Sequence, residues 1–277
     1  FLVDGNYCMT CGSDKTLKLW NPHKGTLLKT YSGHGYEVLD TAGSYDNSQM
    51  CSCSSDKTVI LWDVAQGQVV RKFRGHAGKV NCVQFNEEAT VIMSGNPVQR
   101  DTIKLWQHRD SPVLRTIQQE QPPKLQMEMA AHSFVFPPGS IDSSIRCWDC
   151  RSRRPEAIQI LDEAKDGISS IKISDHEILA GSVDGNLRRY DLRKGEMWYT
   201  GHQNHSYKLD SCLSEKDTHV LSCSEDGTVC FWDLVEGSLV LKLPVGKAAV
   251  QSLSFHPSEC CLLTASEGGV QLWRGAS

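Results

Sequence analysis

The sequence predicts an all-β protein built from repeated hairpins, and three observations support this fold class. In residues 221–234, LSCSEDGTVCFWDL, an alternation of apolar and polar residues stops at Asp226-Gly227 and resumes up to Trp232. This pattern is typical of two short strands joined by a tight turn, because aspartate can bond nearby backbone and glycine accepts a positive φ. Related segments recur along the chain, and their aromatic residues are evenly spaced. One structural unit is therefore used several times.

The copies of this hairpin share a turn aspartate and an aromatic residue six positions later. The best preserved copies have as their turn residues Asp14, Asp56, Asp142, Asp184 and Asp226. The aromatic positions are Trp20, Trp62, Trp106, Trp148, Tyr190, Trp232 and Trp273, separated by 42, 44, 42, 42, 42 and 41 residues. A period of this length, with Gly-His upstream and Trp-Asp at the end, is typical of the four-stranded blade of a β-propeller. We expect a single domain, residues 1–277, of seven blades with the first and last incomplete.

These motifs resemble the WD-repeat family over nearly the whole chain. The resemblance implies a hydrogen-bonded set in each blade, made of the Gly-His histidine, a strand serine or threonine, the turn aspartate and the tryptophan. Two complete sets follow: His34, Ser52, Asp56 and Trp62, and His202, Ser222, Asp226 and Trp232. A buried aspartate needs such partners. A catalytic Ser-His-Asp triad would instead need an open site and an oxyanion hole, so the repetition favours a structural role.

The first three blades can be placed in chain order. Residues 1–5 look like the end of an inner strand, which predicts that the chain is cut at its N-terminus, and strands are expected near residues 7–11, 16–20 and 26–31. Gly33-His34 opens blade two, which ends at Trp62-Asp63 with an outer strand at 69–73. Gly75-His76 opens blade three, with strands near 80–85 and 90–94.

Residues 96–139 are atypical. Gln107 replaces the usual aspartate, and Pro122-Pro123 and Pro137-Pro138 stand where strands or turns are expected, although proline cannot donate to a ladder. In one interpretation, 102–107 and 113–117 are the outer strands of blade three, while 125–129 and 133–136 are the inner strands of blade four. In the other, the stretch is an inserted loop, because its removal joins Ser94-Gly95 to residues 140–142 in repeat register.

The remaining blades leave two features to explain. Blade five runs from about residue 167 to 191, blade six opens at Gly201-His202, and blade seven stops after 270–273 without an outer strand. Since propellers usually close by lending an N-terminal strand to the last blade, we expect only partial closure here. Arg151, Arg153 and Arg154 form the one dense basic cluster, either a solvated hairpin tip or a contact for an acidic partner or RNA.

Composition excludes several classes of protein. The net charge of −4 argues against a nucleic-acid surface covering the molecule, and no apolar run approaches the roughly 18 residues of a membrane span. We expect a soluble chain without a secretory leader. The twelve cysteines include Cys8-x-x-Cys11 and Cys147-x-x-Cys150, but Cys11, Cys53 and Cys223 occupy equivalent strand positions in different blades. Reduced strand cysteines are thus expected, with no metal and no cofactor.

The chain shows neither a phosphate-binding glycine loop nor a nucleophile elbow, so we expect a scaffold rather than an enzyme. Segments such as VVRKFRGHAGKVN and SIDSSIRCWDCRSRRPE resemble intracellular WD-repeat scaffolds that organise mitogen-activated protein kinase cascades. That resemblance implies kinase-cascade partners, links to a hypoxia-sensing prolyl hydroxylase and to pre-mRNA splicing proteins, and a cytoplasmic and nuclear location. The alternative is a spliceosome-associated RNA–protein module that uses the arginine cluster. Contacts with protein partners are expected at Glu37, Lys79 and Lys208, three residues after each Gly-His or at the aligned position.

Overall fold

A computed structural model describes residues 1–86, 88–96, 102–107, 115–118, 135–136, 143–149, 159–174, 177–191, 195–206, 208–214 and 216–275. These residues form strands and turns, and the strands pair into seven small antiparallel sheets, which confirms the all-β prediction. Within these ranges no helix has the length and hydropathy needed to cross a lipid bilayer.

Each sheet is one blade of the propeller and takes strands that follow one another in the sequence. Blade one contains β1 (Cys8–Cys11), β2 (Thr16–Asn21) and β3 (Thr26–Ser32). Blade two contains β4 (Val38–Gly43), β5 (Gln49–Ser54), β6 (Thr58–Asp63) and β7 (Val69–Arg74). Blade three contains β8 (Cys82–Phe85), β9 (Val91–Asn96), β10 (Thr102–Gln107) and β11 (Arg115–Gln118).

The other four blades follow the same order. Blade four contains β12 (Val135–Phe136), β13 (Ile145–Asp149) and β14 (Gln159–Leu161). Blade five contains β15 (Ile168–Ser174), β16 (Glu177–Ser182), β17 (Asn186–Asp191) and β18 (Gly195–Thr200). Blade six contains β19 (Ser211–Leu213), β20 (His219–Cys223), β21 (Thr228–Asp233) and β22 (Leu239–Pro244). Blade seven contains β23 (Ser252–Phe255), β24 (Cys261–Ser266) and β25 (Gly269–Arg274).

The turn that the repeated Asp predicts has the expected geometry. In blade two, Oδ1 of Asp56 accepts the backbone N–H of Thr58 at 3.0 Å, and the intervening Lys57 has a φ of 67°. At the same place in blade six, Gly227 has a φ of 80°, and a Cβ there would lie 2.2 Å from the carbonyl oxygen of Gly246. Glycine is therefore required in blade six, whereas blade two accepts the modest cost of a left-handed lysine.

The repeated aromatic residues occupy matching places. Each is the second-to-last residue of one strand in its blade. We call this strand the Trp strand; the seven Trp strands are β2, β6, β10, β13, β17, β21 and β25. The pairing of this strand with the outer strand shifts register just before Trp20, Trp62 and Trp232. Such a bulge turns the local strand and re-aims a side chain, and the sequence pattern did not reveal it.

The atypical stretch 96–139 contributes strands to two blades. Strand β10 pairs with β9 on one side and with β11 on the other, so 102–107 and 115–118 lie within blade three. Strand β12 pairs with β13 in blade four. The strand expected at 125–129 lies outside the described residues, as do the two Pro-Pro pairs.

The core lies between neighbouring blades rather than inside one sheet. A representative cluster joins Leu61 and Phe73 of blade two to Val80, Ile92 and Trp106 of blade three, with all five side chains buried. Hydrogen bonds also cross the seams between blades. Tyr31 donates its hydroxyl hydrogen to the Val64 carbonyl at 2.9 Å, and Tyr199 does the same to Leu234 at 2.8 Å. Adjacent blades are thus fixed to one another by packing and by buried polar contacts.

The first and last blades meet, in contrast to the partial closure expected from the sequence. The Phe1 nitrogen donates to Ser254 Oγ at 2.9 Å, and the Phe1 ring lies 4.8 Å from that of His256. On the same seam Nη2 of Arg274 lies 3.2 Å from Nδ1 of His23. Blades one and seven each have three strands among the described residues, and the contacts of Phe1 and Arg274, rather than a shared strand, join them.

Candidate functional site

The first predicted polar set is assembled in blade two. Nε2 of His34 lies 2.8 Å from Ser52 Oγ, Nδ1 lies 3.1 Å from Asp56 Oδ2, and the Trp62 indole N–H donates to Ser52 Oγ at 2.8 Å. A carboxylate only accepts, so Nδ1 carries the proton and Nε2 accepts the serine hydroxyl hydrogen. Every member thereby has a partner at the depth where the sheet excludes water.

Asp56 also fixes the loop that carries the histidine. Its Oδ2 accepts the backbone N–H of Gly35 at 2.8 Å, and Lys72 Nζ lies 3.7 Å away. Although burial opposes it, hydrogen bonds from Thr58, Gly35 and His34 lower the pKa of Asp56 to about 2. Burial lowers the pKa of His34, against the raising effect of Asp56, so the imidazole is neutral and the carboxylate charged near pH 7.

Blade three contains a related set that the sequence did not reveal. Nε2 of His76 lies 2.6 Å from Ser94 Oγ, which also accepts the Trp106 indole N–H at 2.7 Å. Ser94 stands twelve residues before its tryptophan, whereas Ser52 stands ten residues before Trp62. This longer interval hides the motif. Burial lowers the pKa of His76 to about 3, and the carboxylate position of this blade falls in 97–101, outside the described residues.

The second predicted set, in blade six, is not assembled, and that prediction is wrong. Both ring nitrogens of His202 are buried without a hydrogen-bond partner. The Trp232 indole N–H donates to the Thr200 carbonyl at 2.9 Å, while the Ser222 hydroxyl donates to the Cys223 carbonyl at 3.1 Å. Asp226 contacts its own turn at Thr228 rather than the histidine.

The reason lies in the loop that follows the histidine. The residue paired opposite the strand serine is seven positions after the histidine in blades two and three, at Thr41 and Val83. In blade six that residue is Ser211, nine positions after His202. The longer loop is held by Glu225, whose Oε1 accepts the backbone N–H groups of His205 and Ser206. Glu225 therefore holds the loop in place of the neighbouring Asp226.

In blade five an arginine of the Trp strand, rather than a histidine, is the partner of the turn aspartate. Arg188 is fully buried, and its two terminal nitrogens donate to Asp184 at 2.6 and 3.2 Å. Its guanidinium carbon lies 4.7 Å from the ring centroid of Trp198, which is 46% exposed. Although burial opposes it, the contact with Arg188 lowers the pKa of Asp184 to about 2. The turn carboxylate thus stays paired in this blade through a charge-assisted bond.

The predicted contact residues fall into three groups. Glu37 and Lys79 are exposed on loops at one end of the ring, and Glu37 accepts the Ser55 hydroxyl hydrogen at 2.7 Å. Arg151, Arg153 and Arg154 lie outside the described residues.

Lys208 is exposed, as Glu37 and Lys79 are, but it differs from them in having acidic neighbours from two blades. Its charged neighbours are Asp40 of blade two and Asp210, which outweigh burial and raise the pKa of Lys208. Burial raises the pKa of Asp40, and Lys208 opposes that change. The ammonium of Lys208 therefore interacts electrostatically with a carboxylate of blade two and with one on the loop that enters blade six.

The described cysteines are free thiols. Burial raises the pKa of Cys53 well above its usual range and that of Cys82 to about 12. Protonated, buried thiols are poor nucleophiles and poor metal ligands. Cys53 and Cys82 therefore behave as small apolar residues of their strands, whereas Cys260 is exposed.

One group of potential metal ligands occurs in the described part of the chain: His23, His256 and Glu259, whose ligand atoms lie within 4.8 Å of one another. Nδ1 of His256 accepts the backbone N–H groups of Ser258 and Glu259 at 3.1 and 2.9 Å. A Cβ on Gly5 would lie 2.2 Å from Nε2, so backbone covers that nitrogen. His256 thus presents neither ring nitrogen to an ion, and the group serves the seam between blades one and seven.

Comparison with known proteins agrees with this architecture. The family model "Nucleolar protein 10-like, N-terminal domain" matches residues 37–271, and the model "WD domain, G-beta repeat" matches residues 1–21. A Xenopus tropicalis protein, "WD repeat domain-containing protein 83", is 72% identical over 100% of this chain and 88% of its own length. The Homo sapiens protein of that name is 56% identical over 99% of this chain and 86% of its own.

A more distant relative and the alignment lengths add detail. A Dictyostelium discoideum homolog of the same protein is 25% identical over 98% of this chain and 91% of its own. The Xenopus tropicalis alignment spans 319 positions although this chain has 277 residues. It therefore contains gaps in this chain that together equal about one repeat.

We predict that two matched serine substitutions differ in their cost. Ser52→Ala leaves Nε2 of His34 and Nε1 of Trp62 without partners, so the free energy of unfolding should fall by about 3 kcal/mol. Ser222→Ala removes one bond to a carbonyl and should cost about 1 kcal/mol or less. Urea denaturation followed by tryptophan fluorescence measures both. Equal losses would contradict the difference between the two blades.

We also predict that His202 weakens the fold as the pH falls. Burial lowers the pKa of His202 from 6.5 to about 4. The unfolded chain therefore binds a proton below pH 6.5 that the folded chain does not, and stability is lost between pH 6.5 and 4. The contribution is on the order of 3 kcal/mol.

His202→Leu removes this contribution together with two unpartnered nitrogens. The variant should match or exceed the wild type near pH 7 and lose less stability on acidification to pH 4.5. Urea denaturation at several pH values tests this, with His76→Leu as a comparison expected to be destabilised at neutral pH. An unchanged pH dependence in His202→Leu would refute the assignment.

Proposed function

Because this chain belongs to the WD-repeat β-propeller family, in the group of WD repeat domain-containing protein 83, we propose that it is a non-enzymatic scaffold that assembles protein complexes. The observation that carries this proposal is the state of the blade-two polar set. Ser52 is fully buried, and its Oγ already bonds both the imidazole of His34 and the indole of Trp62. A nucleophile needs a free lone pair facing a substrate, so these groups serve the fold.

The loops at one end of the ring offer a divided charge pattern to partners. Exposed lysines at positions 15, 57 and 79 project from blades one to three, and Lys15 Nζ lies 5.8 Å from the ring of Tyr36, which is 64% exposed. On the loop entering blade five, Asp162 and Glu163 are exposed. A rigid surface with basic and acidic sectors can orient partners through complementary charge.

We propose further that the assembled proteins belong to a mitogen-activated protein kinase cascade, in the cytoplasm and nucleus. Links to a prolyl hydroxylase of hypoxia signalling and to pre-mRNA splicing proteins belong to the same proposal. The support for this is the resemblance of the segments quoted above to scaffolds of such cascades. The rival function, an RNA-associated module, would use the arginine cluster at 151–154 and is an outcome of the experiment below.

We predict that Lys79→Glu weakens capture of partner proteins without changing the melting temperature. Lys79 is exposed, so its reversal disturbs no packing but inverts the charge of one docking loop. Lys24→Glu is the matched control, since Lys24 is also exposed but lies on the turn between β2 and β3, at the opposite end of the ring. Affinity purification from cells with quantitative mass spectrometry measures the capture, and thermal unfolding checks the fold.

The purification includes a nuclease arm. Recovery of kinase-cascade proteins that survives nuclease and falls several-fold in Lys79→Glu, but not in Lys24→Glu, supports the scaffold. Recovery that depends on RNA favours the rival function. Capture unchanged in Lys79→Glu removes this loop from the docking surface.

A further inference from the structure

We propose that the groove between blades one and two binds an extended peptide of a partner protein that presents an apolar side chain next to a lysine or arginine. This inference rests on the proposed scaffold function and adds a site and a ligand chemistry to it. The groove has a volume of about 390 Å³, within the range of ligand-binding clefts. Its blade-one wall consists of Leu2, Tyr7, Leu19 and Leu28, and its blade-two wall includes Asp63 and Val64.

The apolar wall is accessible from outside. Tyr7 is 37% exposed and Leu28 is 49% exposed, while Leu2 and Leu19 form the buried floor. An apolar side chain that enters the groove would therefore gain contact with packed carbon without first displacing a protein side chain. Burial of such a residue removes apolar surface from water, which favours binding.

The groove is preformed because its two walls are tied together. Tyr31 of blade one donates to the Val64 carbonyl at 2.9 Å, and Lys29 Nζ donates to the Ala65 carbonyl at 2.6 Å. Both bonds cross the seam at the edge of the groove. A rigid site loses little conformational entropy on binding, which favours recognition of a short peptide.

The seam between blades five and six shows how the same space can be filled. Tyr199 donates to the Leu234 carbonyl there, as Tyr31 does to Val64. Arg189, however, precedes the aromatic residue of its Trp strand where blade one has Leu19. Its Nε donates to Glu177 at 2.7 Å and its Nη1 reaches the Leu234 carbonyl at 3.5 Å.

The two seams therefore differ at one pair of positions and also in the outer strand, where Leu28 is an extra bulge residue that the pairing of β17 with β18 lacks. Glu177 pairs with Asp191, the residue after Tyr190. In blade one Cys8 pairs with Trp20, so Tyr7, just before β1, has the position that corresponds to Glu177. An ion pair of Glu177 and Arg189 occupies the space in one seam, whereas Tyr7 and Leu19 leave an apolar groove in the other. Tyr7 and Leu19, together with Leu28, thus line an open groove where the other seam has an ion pair.

Charge determines the second feature of the ligand. Of the described residues that line the groove, Asp63 is the charged one, and its carboxylate, after burial, contributes to raising the pKa of Tyr31. Lys29, whose ammonium donates to the Ala65 carbonyl, lies at the rim and is not among the residues that line the groove. A cationic residue placed against Asp63 would therefore be attracted, whereas an acidic residue there would be repelled.

The test is a selection from a phage-displayed library of random 12-residue peptides on the wild-type protein. Binders are counter-screened on the double variant Tyr7→Glu/Leu19→Arg, which transplants the ion pair of the other seam. We expect peptides that bind the wild type at least ten-fold better than the variant and that carry an apolar residue adjacent to Lys or Arg. Synthetic copies should shift the methyl NMR signals of Leu2, Leu19 and Leu28.

Leu28→Lys provides a second variant in case the double variant does not fold, because Leu28 lies on the open wall. Its matched control is Val70→Lys, since Val70 is 47% exposed at the equivalent place on the outer strand of blade two. Leu28→Lys should abolish binding of the selected peptides, and Val70→Lys should not.

Three results would overturn the inference. The first is that no selected peptide distinguishes the wild type from both groove variants. The second is that the peptides depend on the groove but carry no cationic residue. The third is that the protein sediments as a dimer and that Leu28→Lys dissociates it. The last would assign the groove to a second copy of this chain. Because the selection uses peptides and not cellular partners, its failure leaves the scaffold proposal standing, and failed cellular capture leaves a positive selection valid.

Discussion

The bond from a tryptophan indole to a hydroxyl on the neighbouring strand is the interaction on which the ring depends. It recurs at one register, with lengths of 2.9, 2.8, 2.7 and 2.9 Å, for Trp20 to Thr10, Trp62 to Ser52, Trp106 to Ser94, and Trp273 to Thr264. The bond lets a large aromatic residue be buried without leaving its N–H unpaired, which would cost about 1–3 kcal/mol. It also fixes the depth of the Trp strand, and the strands of one blade then present a regular face to the next.

Differences between blades on this common frame are what give the molecule individual surfaces. Blades two and three add a histidine to the indole–hydroxyl bond, blade five pairs its turn aspartate with Arg188, and blade six leaves His202 unpartnered. The seams vary in the same way, since an ion pair fills one and apolar side chains leave another open. Stability resides in the repeated contacts, while recognition uses the positions where the repeat changes.

The sequence predicted the features that repeat and missed those that depend on loop length or on distant partners. Even spacing of the aromatic residues and the Asp-Gly turns sufficed for the all-β propeller, because both are set by local chemistry within one hairpin. The prediction of a polar set in blade six was wrong because the loop after His202 has two extra residues. Ser94 was overlooked because it stands twelve residues before its tryptophan instead of ten. The contact of Phe1 with Ser254 joins residues 253 positions apart, and the groove needs both walls of a seam. Neither leaves a signal in a single stretch of sequence.

Hydrogen exchange at the indole N–H groups, resolved by nitrogen-15 NMR, tests the central claim most directly. Trp198 serves as an internal reference, because it is 46% exposed, whereas Trp62 and Trp106 are buried and bonded to serine. The indole–hydroxyl account predicts that the Trp62 and Trp106 signals persist in heavy water long after that of Trp198 has disappeared. Exchange of Trp62 and Trp106 as fast as Trp198 would show that these bonds do not hold the blades and would contradict the account.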